Sequence, residues 1–182
     1  MNRFLLALLL VVAPFSANAI EVFACEPEWA ALVQELAADN ATITTATSAF
    51  QDPHMLQAKP SLIAATRRAD LVVCTGADLE IGWLPLLLRR SGNQHIQPGN
   101  PGYFLAAEFV RRLEIPASVD RSMGDVHPQG NPHVHLRPRN IERVAKALAE
   151  RLVEIDPANR DSYQANATAF LERWEQATDA WE

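Results

Sequence analysis

The spacing of apolar side chains along the chain switches between two periods. Short runs rich in aliphatic and β-branched residues occur at residues 20–24, 41–47 and 70–74, and they predict strands. Between them, Trp29, Leu32, Val33 and Leu36 recur at helical spacing and predict a helix over 27–38. Pro60 opens a second helix at a first-turn position, with Leu62, Ala65 and Ala69 on one side. Helices are also predicted over 81–90, stopped by Ser91-Gly92, and over 103–113, after the turn-rich stretch 98–102. Two long amphipathic helices follow at 139–155 and 159–181, separated at Asp156-Pro157. Alternating β and α units of this length predict an α/β fold: a parallel sheet flanked by helices, then a long C-terminal helix.

Two stretches do not fit that rhythm. Residues 4–12 are apolar on every side, follow Arg3, and lead to the small residues Ala17-Asn18-Ala19, the pattern of an export signal removed after residue 19. The run is too short for a span needing about 20 apolar residues, so the expectation is a periplasmic protein beginning at Ile20. Residues 115–138 carry four prolines, two glycines and three of the five histidines, with almost no apolar periodicity. Irregular backbone of that length is characteristic of functional loops or of disorder.

Charge narrows the function. The whole chain carries −6, and losing residues 1–19 removes Arg3 and no acid, leaving 15 basic and 22 acidic residues and a net −7. The arginine pairs 67–68, 89–90 and 111–112 are scattered at helix edges, so no basic face for nucleic acid exists. With 48% hydrophobic residues, the exported chain is large enough for one core. Cys25 and Cys74 each end a predicted strand. In parallel neighbouring strands they would meet at bridging distance, and otherwise they are two separate buried thiols.

The candidate chemistry is metal ligation by imidazole. His54 follows the second predicted strand within Gln51-Asp52-Pro53-His54, at the carboxyl end where open α/β sheets bind ligands. Asp52 is placed to bond a neighbouring amide or the other ring nitrogen of His54. In Asn131-Pro132-His133-Val134-His135 the two histidines are one residue apart, and in extended backbone they would project to the same side. His127 lies a few residues upstream. A zinc-like ion takes three or four such ligands, so His54 and His133 with His127 or His135 suffice. The competing reading leaves His127 and His135 as solvated loop residues. His95 reads as a structural surface residue and Trp83 as core, while Glu80 either orients a ligand histidine or favours a helix start. No His-Glu-x-x-His segment is present, which argues against a zinc hydrolase.

The ordered series Asp52-Pro53-His54, Pro60-Ser61, Ala69-Asp70-Leu71, Gly76, Leu79-Glu80, Trp83 and Asn131-Pro132-His133 resembles the zinc/manganese-type metal-binding proteins of ABC importers. The resemblance implies that His54 and His133 are the first two metal ligands and that the cargo is Zn(II), with Mn(II) as the alternative. It further implies that an importer permease is the partner. It divides the chain into a signal at 1–19, an α/β metal-binding lobe at 20–155 and a connector helix at 156–182, the family's second lobe being absent. Three features depart from the family pattern: His135 stands where Trp is usual, Asn131 replaces Asp, and the ligands from the second lobe have no counterpart. The alternative these departures leave is a truncated remnant with weak metal binding and a structural or regulatory role.

Overall fold

The computed structural model describes residues 19–120 and 126–181; the apolar stretch at 4–12 and nearly all of the expected signal lie outside them. Four strands, β1 (Ile20–Ala24), β2 (Ala41–Thr45), β3 (Leu71–Cys74) and β4 (Tyr103–Leu105), form one parallel sheet in the order β2-β1-β3-β4. The helices among the described residues are α1 (Pro27–Ala37), α2 (Pro60–Arg68), α3 (Leu84–Ser91), α4 (Pro138–Ile155) and α5 (Arg160–Asp179). The expected fold class is thus realised: a parallel sheet, helices on both faces, and a long C-terminal helix. None of these helices is long and apolar enough to cross a membrane.

Strand alternation separates two cores. Val22, Ala24 and Val73 face α1, α4 and α5, whereas Phe23, Cys25, Val72 and Cys74 face α2 and α3. The apolar stripe of α1 lies where its spacing predicts, with Trp29, Leu32, Val33 and Leu36 buried. Each such aliphatic side chain stabilises the fold by about 1.5–3 kcal/mol. Helix α5 is fastened to the same layer: Tyr163, Ala167 and Phe170 are buried, Asn166 donates to the Leu36 carbonyl at 3.1 Å, and Arg173 pairs with Glu35 at 2.5 Å.

Two predicted helices are corrected. Residues 103–113 begin as strand β4, followed by a short 3-10 turn at Ala106–Phe109. Three consecutive bulky residues, Tyr103-Phe104-Leu105, continue the sheet beside β3, and Gly102 makes this possible. A Cβ there would sit 2.5 Å from the His95 carbonyl oxygen and 2.6 Å from that of Asp70. The helix predicted from residue 81 starts at Leu84, because Glu80 turns its carboxylate back onto the Thr75 and Gly76 amides and Pro85 sets the first turn.

The sheet order reverses between β1 and β3, the point where open α/β sheets usually hold ligands. Here the crevice is filled. Cys25 and Cys74 are bridged as a disulfide, with Cα atoms 4.8 Å apart, and both are fully buried. Beside them Glu26 and Glu80 are only 3% exposed. Burial pushes Glu26 up to about 9, helped by the neighbouring Glu80 carboxylate, and burial likewise pushes Glu80 up to about 7. Among the described residues Glu26 Oε1 has no hydrogen-bond partner, which suits a carboxyl that burial keeps protonated. Thr75 locks the pair in place, receiving the Trp29 indole N–H at 2.7 Å and donating its hydroxyl to Glu26 at 3.0 Å. The chemistry is therefore displaced onto the loops above the sheet edge.

Candidate metal centre

His54 is carried by the loop after β2, in a short 3-10 turn at Pro53–Met55. Asp52 Oδ1 accepts both the His54 backbone N–H at 2.9 Å and its ring Nδ1–H at 2.7 Å. Those two bonds hold the Asp52 carboxyl below its ordinary range and turn Nε2 away from Asp52. Buried Trp83 supports the loop from below, donating its indole N–H to the Pro53 carbonyl at 2.7 Å.

His133 repeats the arrangement. Asn131 Oδ1 accepts the His133 backbone N–H and ring Nδ1–H, each at 2.9 Å, and among the described residues Nε2 has no hydrogen-bond partner. Both motifs are Asx-Pro-His, in which the short side chain reaches two residues ahead while proline fixes the intervening backbone. Asp52 was expected to bond either an amide or the ring; it does both, and Asn131 does the same.

His127 joins the first of these. Its Nε2 lies 3.1 Å from His54 Nε2, with ring centroids 5.1 Å apart. Burial, with His54 and His133 nearby, lowers its affinity for a proton, and the neighbouring Asp78 carboxylate opposes this. A shared proton or a metal ion between the two facing Nε2 atoms would satisfy both rings. Two imidazoles on one tetrahedral zinc at 2.0–2.1 Å would sit about 3.3 Å apart, close to the spacing found here.

One cavity of about 400 Å³ is lined by His54, His127, His133, Asn131 and Glu114. Among the described residues, only Cys25, Cys74 and Glu80 bring three ligand atoms within 4.8 Å of one another, and those sulfurs are spent in the disulfide. His133 therefore lines the cavity but stands back from the His54–His127 pair. His135 is not among the lining residues. Val134–Leu136 forms a 3-10 turn rather than the expected extended backbone, and the His133 and His135 rings still lie with their centroids 6.2 Å apart. His135 meets the edge of Trp29 and lies 3.4 Å from Glu28 through Nδ1, a buried nitrogen with no hydrogen-bond partner among the described residues. His95 is exposed near the opposite edge of the sheet, beside Asp70 and Gly102.

Sequence reasoning missed Glu114 and Glu28. Glu114 lies just past the segment read as a helix, and its left-handed backbone, φ 55°, has no sequence signature in a glutamate. Glu28 reads as an ordinary acidic first-turn residue of α1.

The family model described as zinc-uptake complex component A, periplasmic (ZnuA), matches residues 22–182. The chain belongs to the ZnuA family. Among ZnuA-like relatives, a manganese ABC transporter substrate-binding lipoprotein of Streptococcus gordonii is 26% identical over 161 residues, covering 87% of this chain and 49% of its own length. An iron ABC transporter substrate-binding lipoprotein of Streptococcus pyogenes serotype M1 is 23% identical over 162 residues, with the same coverage. A crystal structure of a zinc-bound ZnuA deletion mutant superposes with a TM-score of 0.71 at 28% identity, covering 87% of this chain and 55% of that one. The chain spans about half the length of the curated relatives it matches.

Proposed function

We propose that this chain captures a divalent metal ion outside the cytoplasm for delivery to an ABC-type importer permease, and that the ion is Zn(II). The observation that carries this is the pairing of His54 and His127 through their Nε2 atoms, with His133 held in the same cavity by an equivalent anchor. His54, His133 and His127 are the proposed ligands, and His135, packed at Glu28 and Trp29, supports the turn that follows His133. Three neutral imidazoles suit zinc better than manganese, which favours oxygen donors. Mn(II) stays as the alternative cargo because relatives are named for manganese and iron. No bond is made or broken in this role, so the chain acts as a binding protein and not as an enzyme. Periplasmic location follows from the export signal read at residues 1–19. Residues 20–155 form the metal lobe in this reading, and 156–182 the connector.

Calorimetric titration with Zn(II) and Mn(II) tests the proposal. Saturable binding of Zn(II), tighter than that of Mn(II) and lost in His54→Ala, is the expected result. A second reading, a chain that binds metal weakly and has a structural or regulatory role, is favoured by the set-back position of His133. Equal and weak binding by wild type, His54→Ala and His133→Ala would select it.

A further inference from the structure

Asn131 has no charge to offer His133, yet a carboxylate stands directly behind it. The Asn131 side-chain oxygen is committed to His133, and its amide nitrogen donates to Glu114 Oε2 at 2.8 Å. An amide has one accepting and one donating end, so this set of partners permits a single orientation. Hydrogen bonds in series polarise one another: a carboxylate at the donating end makes the carbonyl end a stronger acceptor. Glu114 also lines the cavity.

The placement of Glu114 is built into the loop. Its backbone occupies the left-handed region at φ 55°, where a residue with a Cβ stays only if its surroundings hold it. Three consecutive residues grip the segment leading to His133. Arg112 donates to Gln129 at 2.9 Å, and the Leu113 carbonyl accepts the Asn131 backbone N–H at 2.8 Å. The third grip is Glu114 itself. Gly130 allows the close approach, since a Cβ there would lie 2.7 Å from the Leu113 carbonyl oxygen. Gln129 is held from its other side by Asp78, at 2.8 Å.

We infer that Glu114 is a positioning residue for His133, supplying through Asn131 the negative charge that Asp52 supplies to His54 by direct contact. The inference rests on the metal-capture reading for its purpose. In this arrangement Glu114 fixes the ring proton of His133 on Nδ1 and leaves Nε2 as the donor toward the cavity.

The test uses the full chain as wild type, Glu114→Gln, and the exchange variant Glu114→Gln/Asn131→Asp, which moves the carboxylate one position along the same contact. Two readouts are taken: the His133 ring tautomer by nitrogen-15 NMR without metal, and Zn(II) affinity by competition with a chelating indicator. Glu114→Gln should mix the two tautomers and weaken Zn(II) binding about tenfold, as loss of an outer partner typically does. The exchange variant should recover both. A Glu114→Gln protein identical to wild type in both readouts overturns the inference. A loss that the exchange variant does not recover also overturns it, because Glu114 would then be only a prop for the loop. If wild type binds no Zn(II), the capture reading fails, and the tautomer measurement still decides the role of Glu114.

Discussion

Asp52-Pro53-His54 and Asn131-Pro132-His133 make the same pair of anchoring hydrogen bonds at two places far apart in the chain, one after a strand and one at the end of a long irregular segment. In each, a side-chain oxygen takes the histidine's backbone and Nδ1 protons. They differ in where the charge is. Asp52 carries it in contact with its histidine, whereas Asn131 borrows it from Glu114. They differ in company too: His54 already has His127 at 3.1 Å, while His133 stands apart. The first cradle thus carries its whole anchor within its own loop, whereas the anchor of the second is completed by the separate segment that holds Glu114.

That contrast makes graded predictions. His54→Ala removes a proposed ligand and half of the close pair, and should lower Zn(II) affinity more than about 100-fold, beyond the 10–100-fold expected for outer partners. His127→Ala should follow closely, measured by the same chelator competition. Equal tolerance of both substitutions would break the proposed His54–His127 half-site. Asp52→Asn makes the first cradle a copy of the second without its Glu114, and the expected cost is about 10-fold. A smaller loss there than in Glu114→Gln would reverse the order of the two cradles. His135→Ala should stay within about threefold of wild type, because the ring packs outside the cavity; a larger loss would promote it to a ligand.

The buried carboxyl pair beneath both cradles allows loss of site to be told from loss of fold. Glu26 and Glu80 bind protons more tightly folded than unfolded, so stability is fullest below the ordinary carboxyl value of 4.5. It declines as pH rises through about 7 and about 9. Glu26→Gln, a neutral mimic of the protonated acid, should flatten that decline while leaving Zn(II) affinity unchanged. Thermal melts from pH 5 to 9 measure it. A wild-type melting temperature that rises across this range would contradict the assignment.

Much of the scaffold could be read in the sequence because its causes are local. Trp29, Leu32, Val33 and Leu36 declare a helix by spacing, and the runs at 20–24 and 70–74 declare buried strands by composition. Tyr103-Phe104-Leu105 misled because its strand character comes from a neighbour 31 residues earlier in sequence, Val72, and from the close approach at Gly102. The histidine anchors were partly legible, since Asx-Pro-His is a short-range motif. The partnership of His54 with His127 and the service of Glu114 to Asn131 were not. Each joins residues brought together only by the path of the irregular segment, and no periodicity records that path.

The disulfide between Cys25 and Cys74 carries a practical consequence. It closes a separation of 49 residues and ties the ends of β1 and β3, the two strands at the centre of the sheet. In the chain-entropy model a loop of that size is worth about 4 kcal/mol. Protein recovered from a reducing cytosol starts without that tie, under the crevice over which the histidine-bearing loops are mounted. The thiol state of a preparation is therefore part of its identity as a reagent, and affinities from oxidised and unoxidised batches describe two different molecules.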